Sequence, residues 1–290
     1  MLIVTGTYPD IDGEIIRGNG EIIDGTLVIR GKHIEVCAGT PAMVAAAISA
    51  CSGPGIDPPY CILAGDTGRE DGSINLYTYL RDELLSLKPE VITMHYMAPR
   101  IEGLVDFGFA LEDSAQKPIL IADAGAMYGA KISGLGHIFD LFTPDRGELA
   151  FLADEHAAHP MFVNENLYDY GDDRLPELIK KTFDNGLSPG TMLVKGSTDY
   201  IVRNGTIIRT VDSPDIPAME AVGGTGDTLT GIVSALVYQG EPLENACYLA
   251  ARTNRLAGQY ADVRPDSSIV SLIEKIPQAM KAVMEGIDIE

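Results

Sequence analysis

Short apolar runs that alternate with helical patterns are the feature of this sequence that most restricts its fold. The runs are nearly all apolar on both faces, which is typical of strands buried between two layers of helices. They span residues 34–37, 61–64, 91–94, 118–122, 139–142 and 191–195. Because strands that alternate with helices build parallel sheets, the pattern predicts an α/β fold with a doubly wound, mostly parallel sheet flanked by helices.

The helical segments between these runs have apolar residues at helical spacing or begin with a cap residue and a proline. Thr40-Pro41 and Thr143-Pro144 give that second signal. The predicted helices span residues 41–50, 74–87, 145–153, 226–239, 243–260 and 268–285. Because no repeat or break in composition divides the chain, the sequence predicts a single α/β domain over residues 1–290.

Two regions depart from the alternation and predict hairpins. Residues 13–33 contain short apolar stretches around Gly18-Asn19-Gly20 and Asp24-Gly25, which indicate small N-terminal hairpins that form a lid or extend the sheet edge. A second hairpin is predicted over residues 197–211, with its turn at Asn204-Gly205. Because a free strand edge can pair with another chain, the first region also permits a homo-oligomer.

The charge balance restricts the partners of the chain. The sequence has 42 acidic and 21 basic residues, a formal net charge of −21, which argues against a nucleic-acid or anionic-membrane partner. A phosphate site would therefore need backbone amides, a helix dipole, local cations or a divalent metal. The sequence contains no apolar stretch of about 18–20 residues, as a membrane helix requires. Its first residues lack the features of a signal peptide, so we predict a cytoplasmic location.

The segment 223–231 reads Gly-Gly-Thr-Gly-Asp-Thr-Leu-Thr-Gly and precedes apolar residues at helical spacing. Its glycines let the backbone turn tightly at the start of a helix, where free amides and the dipole favour an anion. We predict that the amides of Gly224, Thr225 and Gly226 bind a phosphate. A carboxylate beside a phosphate is tolerated more readily if it takes part in the chemistry, so Asp227 is the predicted catalytic base. The alternative is that Asp227 only favours the helix dipole.

Further candidate residues follow other predicted strands. Lys195 precedes Gly196 and suits a polyphosphate contact. Asp123 follows an apolar run, where ligands of open α/β sheets gather, and is predicted on the substrate side. Asp145 and Glu148 share one side of a helix start and can hold Mg²⁺ through water. The structural alternatives are a lysine at a strand end, an aspartate in a turn, and acids that favour a helix dipole.

Residues 224–227, Gly-Thr-Gly-Asp, resemble the signature that opens a late helix in the ribokinase-like superfamily. The threonine form is similar to ADP- or ATP-dependent NAD(P)H-hydrate dehydratases, which are carbohydrate-kinase-like repair enzymes. Residues 121–125, 141–150 and 193–199 resemble three further motifs of that family in the same order, and the resemblance covers about residues 118–260. It implies a ribokinase-like fold, ADP or ATP with Mg²⁺ as cofactors, and hydrated NAD(P)H as substrate.

This sequence departs from the family pattern at Asp145, where the dehydratases usually have histidine and sugar kinases often have asparagine. Residues 13–33 have no counterpart in the pattern either. The resemblance therefore leaves two alternatives to the dehydratase. One is a small-molecule kinase of the same superfamily, acting on a sugar or a vitamin-like alcohol, that stops at the phosphorylated product. The other is an inactive nucleotide-binding regulator.

Overall fold

The computed structural model describes residues 1–11, 13–53, 55–114, 116–163 and 174–286. Its strands form one sheet of eleven. They are β1 (Leu2–Tyr8), β2 (Ile15–Ile23), β3 (Thr26–Ile29), β4 (Lys32–Glu35), β5 (Tyr60–Gly65), β6 (Val91–His95), β7 (Ile119–Ala122), β8 (Leu141–Phe142), β9 (Thr191–Val194), β10 (Asp199–Arg203) and β11 (Thr206–Val211).

The order of the strands is β11-β10-β9-β8-β7-β6-β1-β5-β2-β3-β4. The central six, from β9 to β5, pair in parallel, whereas the strands at both edges pair antiparallel. The chain proceeds from β1 to β5 on one side and then from β6 outward on the other. This arrangement confirms the predicted doubly wound sheet with small N-terminal hairpins. Ligands of such sheets bind beyond the carboxyl ends of the strands near the point of reversal.

Helices cover both faces of the sheet. They are α1 (Gly39–Ser52), α2 (Asp71–Leu87), α3 (Ile101–Glu112), α4 (Gly125–Ile132), α5 (Arg146–Ala153), α6 (Leu175–Asp184), α7 (Thr225–Tyr238), α8 (Leu243–Tyr260), α9 (Ile269–Ile273) and α10 (Ile276–Met284). Helices α1 and α7–α10 enclose one apolar core, and α2–α6 enclose the other. None of the described helices is long and apolar enough to span a membrane.

The N-terminal third differs most from the sequence-based predictions. The first strand, β1, was not predicted, although it lies at the centre of the sheet. Residues 34–37 were predicted as a buried strand, but β4 forms the outer antiparallel edge. Gly18-Asn19-Gly20 does not turn and lies within β2. A side chain at Gly20 would come within 2.9 Å of Ile48 and 3.2 Å of Cys61, so this glycine allows close packing of β2.

Turn and helix boundaries explain three further outcomes. The hairpin of β10 and β11 turns at Asn204-Gly205, as predicted, and β2 and β3 turn at Asp24-Gly25. The predicted helix 268–285 is divided into α9 and α10, with Pro277 in the first turn of the second helix. A proline lacks the amide that a continuous helix needs at that position.

Candidate active site

Helix α7 is preceded by Gly224, whose backbone conformation and close packing other residues would not tolerate easily. Gly224 has φ 96°, and a Cβ there would lie 3.0 Å from Ile269 and 3.3 Å from Ala38. The helix begins at the next residue, so the amides of Thr225 and Gly226 lie in the first turn, where a helix offers them no carbonyl. The Thr225 hydroxyl donates to the carbonyls of Met219 and Val222, which fixes the turn.

Asp227 lies in this first turn, and each of its two carboxylate oxygens has a hydrogen-bond partner. The amide of Gly39, at the start of α1, donates to Oδ2 at 2.6 Å, and Nε2 of His95 lies 3.0 Å from Oδ1. Burial alone would raise the pKa of Asp227, but the hydrogen bond and charge of His95 and the charge of Lys195 lower it below its ordinary value. Asp227 is therefore held as a carboxylate, the form that accepts a proton.

His95 is a residue of this site that the sequence-based reasoning missed. It ends β6, is completely buried, and its Nδ1 lies 3.0 Å from the Thr40 hydroxyl. A single histidine without regularly spaced partners gives no ligand motif. The usable signal is its position: like Asp123 and Lys195, His95 is a polar residue at the carboxyl end of a parallel strand.

Asp123 and Lys195 form a buried ion pair below the start of α7. Lys195 Nζ lies 2.9 Å from both carboxylate oxygens of Asp123, and the Thr230 hydroxyl donates to one of them at 2.5 Å. Burial would lower the pKa of Lys195, but the carboxylates of Asp123 and Glu148 raise it above its ordinary value. A Cβ built on Gly226 would lie 3.6 Å from this ammonium group, so the lysine borders the glycine turn directly.

Asp145 and Glu148 form a reciprocal cap at the start of α5. The Asp145 carboxylate accepts from the Glu148 amide at 2.8 Å, and the Glu148 carboxylate accepts from the Asp145 amide at 2.8 Å. Tyr128 also donates to Glu148. Burial raises the pKa of Glu148 to about 7, against the lowering effect of Lys195. The cap gives both acids a structural role, and their role in metal binding stays a prediction.

A cleft of about 570 Å³ brings all the predicted site residues except Gly224 to one surface. Its wall includes Asp123, Asp145, Glu148, Lys195, Gly196, Thr225, Gly226 and Asp227. Arg255 on α8 also lines the cleft and was not predicted. It is paired with Asp199 at 2.8 Å, and Asp199 accepts from the Gly196 amide at 3.2 Å. These bonds fix the loop that follows Lys195.

A second, more apolar pocket of about 440 Å³ lies around the start of α1, on the Gly39 side of Asp227. Tyr96 lines both cavities and has φ 33°, an uncommon backbone conformation for a tyrosine. Its ring would contact a Cβ built on Gly39 at 3.4 Å. Tyr96 therefore lies between the two cavities, and Gly39, which lines the second, donates to Asp227, which lines the first.

Each of the two carboxylates at the centre of the site lies against a nitrogen that can donate a hydrogen bond to it. Ligand atoms of His95, Asp123 and Asp227 lie within 4.8 Å of one another, a spacing that metals also use. Here the Lys195 ammonium lies against Asp123, and the His95 ring lies against Asp227. The cluster is therefore a network of charge-assisted hydrogen bonds.

Comparison with known proteins gives the family of the chain. The sequence model of the NAD(P)H-hydrate dehydratase family matches residues 107–278. An uncharacterized protein of Methanocaldococcus jannaschii is 40% identical over 224 residues, 77% of this chain and 92% of the relative. An ADP-dependent (S)-NAD(P)H-hydrate dehydratase of Nitrosopumilus maritimus is 42% identical over 94 residues, 31% of each chain. A bifunctional NAD(P)H-hydrate repair enzyme of Hyperthermus butylicus is 43% identical over 97 residues, 33% of this chain and 18% of that enzyme.

Solved structures agree on the fold. A putative phosphomethylpyrimidine kinase from Bacteroides thetaiotaomicron superposes with a TM-score of 0.58 at 17% identity, covering 96% of this chain and 93% of the kinase. Pyridoxal kinase from Entamoeba histolytica gives a TM-score of 0.54 at 14% identity, covering 95% and 94%. These identities are low, so the structures establish the ribokinase-like fold alone. The match over more than half of its sequence shows that the chain belongs to the carbohydrate-kinase-like NAD(P)H-hydrate dehydratase family.

Proposed function

We propose that the protein dehydrates hydrated NAD(P)H in a reaction that consumes ADP or ATP. The observation that carries this proposal is the position of the Asp227 carboxylate. It lies at the start of α7, lines the larger cleft and accepts a hydrogen bond from Gly39 beside the second pocket. A base at that junction can reach a hydroxyl from one side and a phosphate from the other. The family membership and the named relatives support this choice of substrate.

In this proposal the nucleotide occupies the larger cleft. Its terminal phosphate rests on the amides of Thr225 and Gly226, which line the cleft at the start of α7, where the helix dipole favours an anion. Lys195 borders the same turn and supplies positive charge. The substrate enters the second pocket, with its hydroxyl directed at the phosphorus atom. The protein mainly positions the two reactants and compensates charge, as is general in phosphoryl transfer.

The chemical steps balance without an oxidant or a reductant. Asp227 accepts the proton of the substrate hydroxyl as its oxygen bonds to the terminal phosphorus, and the bond from that phosphorus to the nucleotide breaks. The carbon–oxygen bond of the new ester then breaks and inorganic phosphate leaves. Loss of a ring proton restores the double bond of the reduced nicotinamide.

The cleft also suits a magnesium ion. Its wall combines the oxygen ligands of Asp145 and Glu148, and these carboxylates keep lone pairs beyond the contacts from the cap amides and Tyr128. Mg²⁺ held there through water would screen the phosphates from Asp123 and Asp227. The two side chains fit this ion because they offer only oxygen atoms as ligands, which magnesium prefers.

The direct test is to incubate the protein with hydrated NADH, Mg²⁺ and ADP or ATP. We expect the near-ultraviolet absorbance of NADH to return with release of inorganic phosphate. Asp227→Asn should lower turnover by about 10²–10⁴-fold, the usual contribution of a general base, while nucleotide affinity by calorimetry stays near that of the wild type. Asp262→Asn, which changes an exposed aspartate, serves as the control. Full turnover by Asp227→Asn would refute the assignment.

A kinase that stops at a phosphorylated alcohol is the second candidate. One observation favours it: the lining of the second pocket contains the carboxylates of Glu35 and Asp66 but no lysine or arginine among the described residues. Such a lining suits an uncharged acceptor better than one rich in phosphate. The two reactions differ in their products, because a kinase leaves a stable phosphate ester and restores no NADH absorbance.

A further inference from the structure

His95 is a buried residue whose side chain contacts the proposed base directly, and the reaction described above gives it no role. Its side chain is completely buried at the end of β6. Both ring nitrogens have partners: Nε2 lies 3.0 Å from Asp227 Oδ1, and Nδ1 lies 3.0 Å from Thr40 Oγ1. A buried imidazole with both nitrogens engaged is held in one orientation.

The direction of these hydrogen bonds follows from the partner atoms. An ionised carboxylate can only accept, so Nε2 carries the proton that is shared with Asp227. The Thr40 hydroxyl can donate to Nδ1 or accept from it, and it therefore suits both the neutral and the charged ring. Since Gly39 donates to the other oxygen of Asp227, the two donors fix the plane of the carboxylate. Each oxygen keeps a lone pair.

We infer that His95 is a positioning residue of the reaction: it donates from Nε2 to Asp227 and aims the carboxylate at the acceptor hydroxyl. The inference rests on the proposed function for the identity of the reaction. Its geometric part, the contact of His95 with Asp227 and Thr40, is independent of the substrate.

The surrounding charges determine the direction of the expected effect. Asp123 and Lys195 approach from the ends of β7 and β9, Glu148 lies on α5, and Tyr96 follows β6; the start of α1 offers the neutral Thr40. The hydrogen bond from His95 is one of the effects that lower the pKa of Asp227, so its loss would raise the pKa of this carboxyl. The acidic limb of the pH profile should therefore move to higher pH.

Three variants separate positioning from a purely structural role. His95→Leu removes the donor, whereas His95→Gln keeps an amide that can donate to Asp227. Thr93→Val is the matched control. Thr93 lies two residues before His95 on β6, and the substitution removes its buried hydrogen bond to Ser234. We expect His95→Leu to lower kcat by roughly 10- to 100-fold, the effect of a misplaced catalytic group, with KM for the nucleotide within about threefold of the wild type.

In addition, the acidic limb should move to higher pH in His95→Leu, remain in place in Thr93→Val and return towards the wild-type position in His95→Gln. An unchanged limb in a folded His95→Leu protein would overturn the inference. So would a His95→Gln protein that is folded but no more active than His95→Leu.

Nuclear magnetic resonance tests the contact without any substrate. It does not need the His95→Leu variant, so the inference stays testable if that protein fails to fold. The Nε2 resonance of His95, assigned by its loss in His95→Gln, should shift in Asp227→Asn and stay unchanged in the Asp262→Asn control. An unchanged resonance in Asp227→Asn would overturn the inference. If the resonance shifts but wild-type protein consumes no hydrated NADH, the proposed function fails while the contact stands.

Discussion

At the level of single residues, the site depends on buried charges that compensate one another. Asp123 and Lys195 have only 2% and 12% of their side-chain surfaces exposed, and they approach to 2.9 Å. Removing one member of a buried ion pair leaves an uncompensated charge, which costs more than the pair itself contributes. The stability of the fold therefore depends on a charged pair that also lines the cleft, and the energetic coupling within the pair can be measured.

We expect Lys195→Met to lower the free energy of unfolding by about 3–5 kcal/mol, the usual cost of breaking a buried pair from one side. The double variant Asp123→Asn/Lys195→Met should lose clearly less than the sum of the two single variants. Urea unfolding at neutral pH measures all four proteins of the cycle. Lys180→Met breaks an exposed pair with Asp184 and should cost less than about 1 kcal/mol. Additive single effects in the cycle would contradict the coupling.

Part of this residue-level arrangement could be predicted from the sequence. Asp123 and Lys195 stand directly after apolar runs, and the glycine-rich segment precedes a helical pattern, so the surface they share followed from general rules of α/β sheets. Their ion pair could not be predicted, because no local pattern indicates that the residues after β7 and β9, which are separated by β8, approach to 2.9 Å. His95 follows the same rule as Asp123, but its partner lies 132 residues further along the chain.

At the level of elements, regular apolar spacing predicted α2 and α7, whereas α3, α4 and α6 were not predicted. In α3 and α4, glycines stand at closely packed positions. Helix α3 contains Gly103, whose Cβ would lie 2.9 Å from the Tyr77 ring, and α4 begins at Gly125, where a Cβ would overlap the Met97 carbonyl. Glycine lowers helix propensity, so these segments do not resemble helices locally. They form helices because close packing onto neighbouring elements outweighs propensity.

Helices α1 and α7 approach closely at Gly231, where a Cβ would overlap the carbonyl oxygen of Met43. Both helices begin at the site, so their separation also determines the hydrogen bond between the Gly39 amide and Asp227. We expect Gly231→Ala to lower the free energy of unfolding by about 1–3 kcal/mol, the usual cost of overpacking. Turnover should fall as well, although the substitution contacts no reactant.

The matched control is Gly108→Ala on α3, where the new methyl group meets only ordinary contacts at 3.7 Å from Leu135. Alanine favours helices more than glycine does, so this variant should be as stable as the wild type or slightly more stable. Thermal unfolding and a turnover assay on both variants check the argument. A Gly231→Ala protein with normal stability and turnover would show that the interface has room to adjust.

At the level of the whole molecule, the formal net charge of −21 affects the folded state as a whole. Like charges spread over one compact surface repel one another, and this repulsion weakens as the unfolded chain separates them. The cleft adds to the effect, because Asp123, Asp145, Glu148 and Asp227 all line the cavity proposed for the nucleotide. Screening by salt should therefore act on stability and on nucleotide binding in the same direction.

We expect the Tm to rise by roughly 2–6 °C between about 0.02 and 0.5 M KCl, because the Debye length shortens from about 20 Å to about 4 Å over that range. Differential scanning calorimetry at pH 7.5 measures the shift, and an equal osmolarity of sucrose controls for effects of solute exclusion. Nucleotide affinity without divalent metal should also increase with KCl, since at a site dominated by carboxylates screening weakens repulsion more than it weakens the Lys195 contact. A falling Tm over the same range would mean that surface ion pairs, such as Arg81 with Asp82 and Asp106, outweigh the net repulsion.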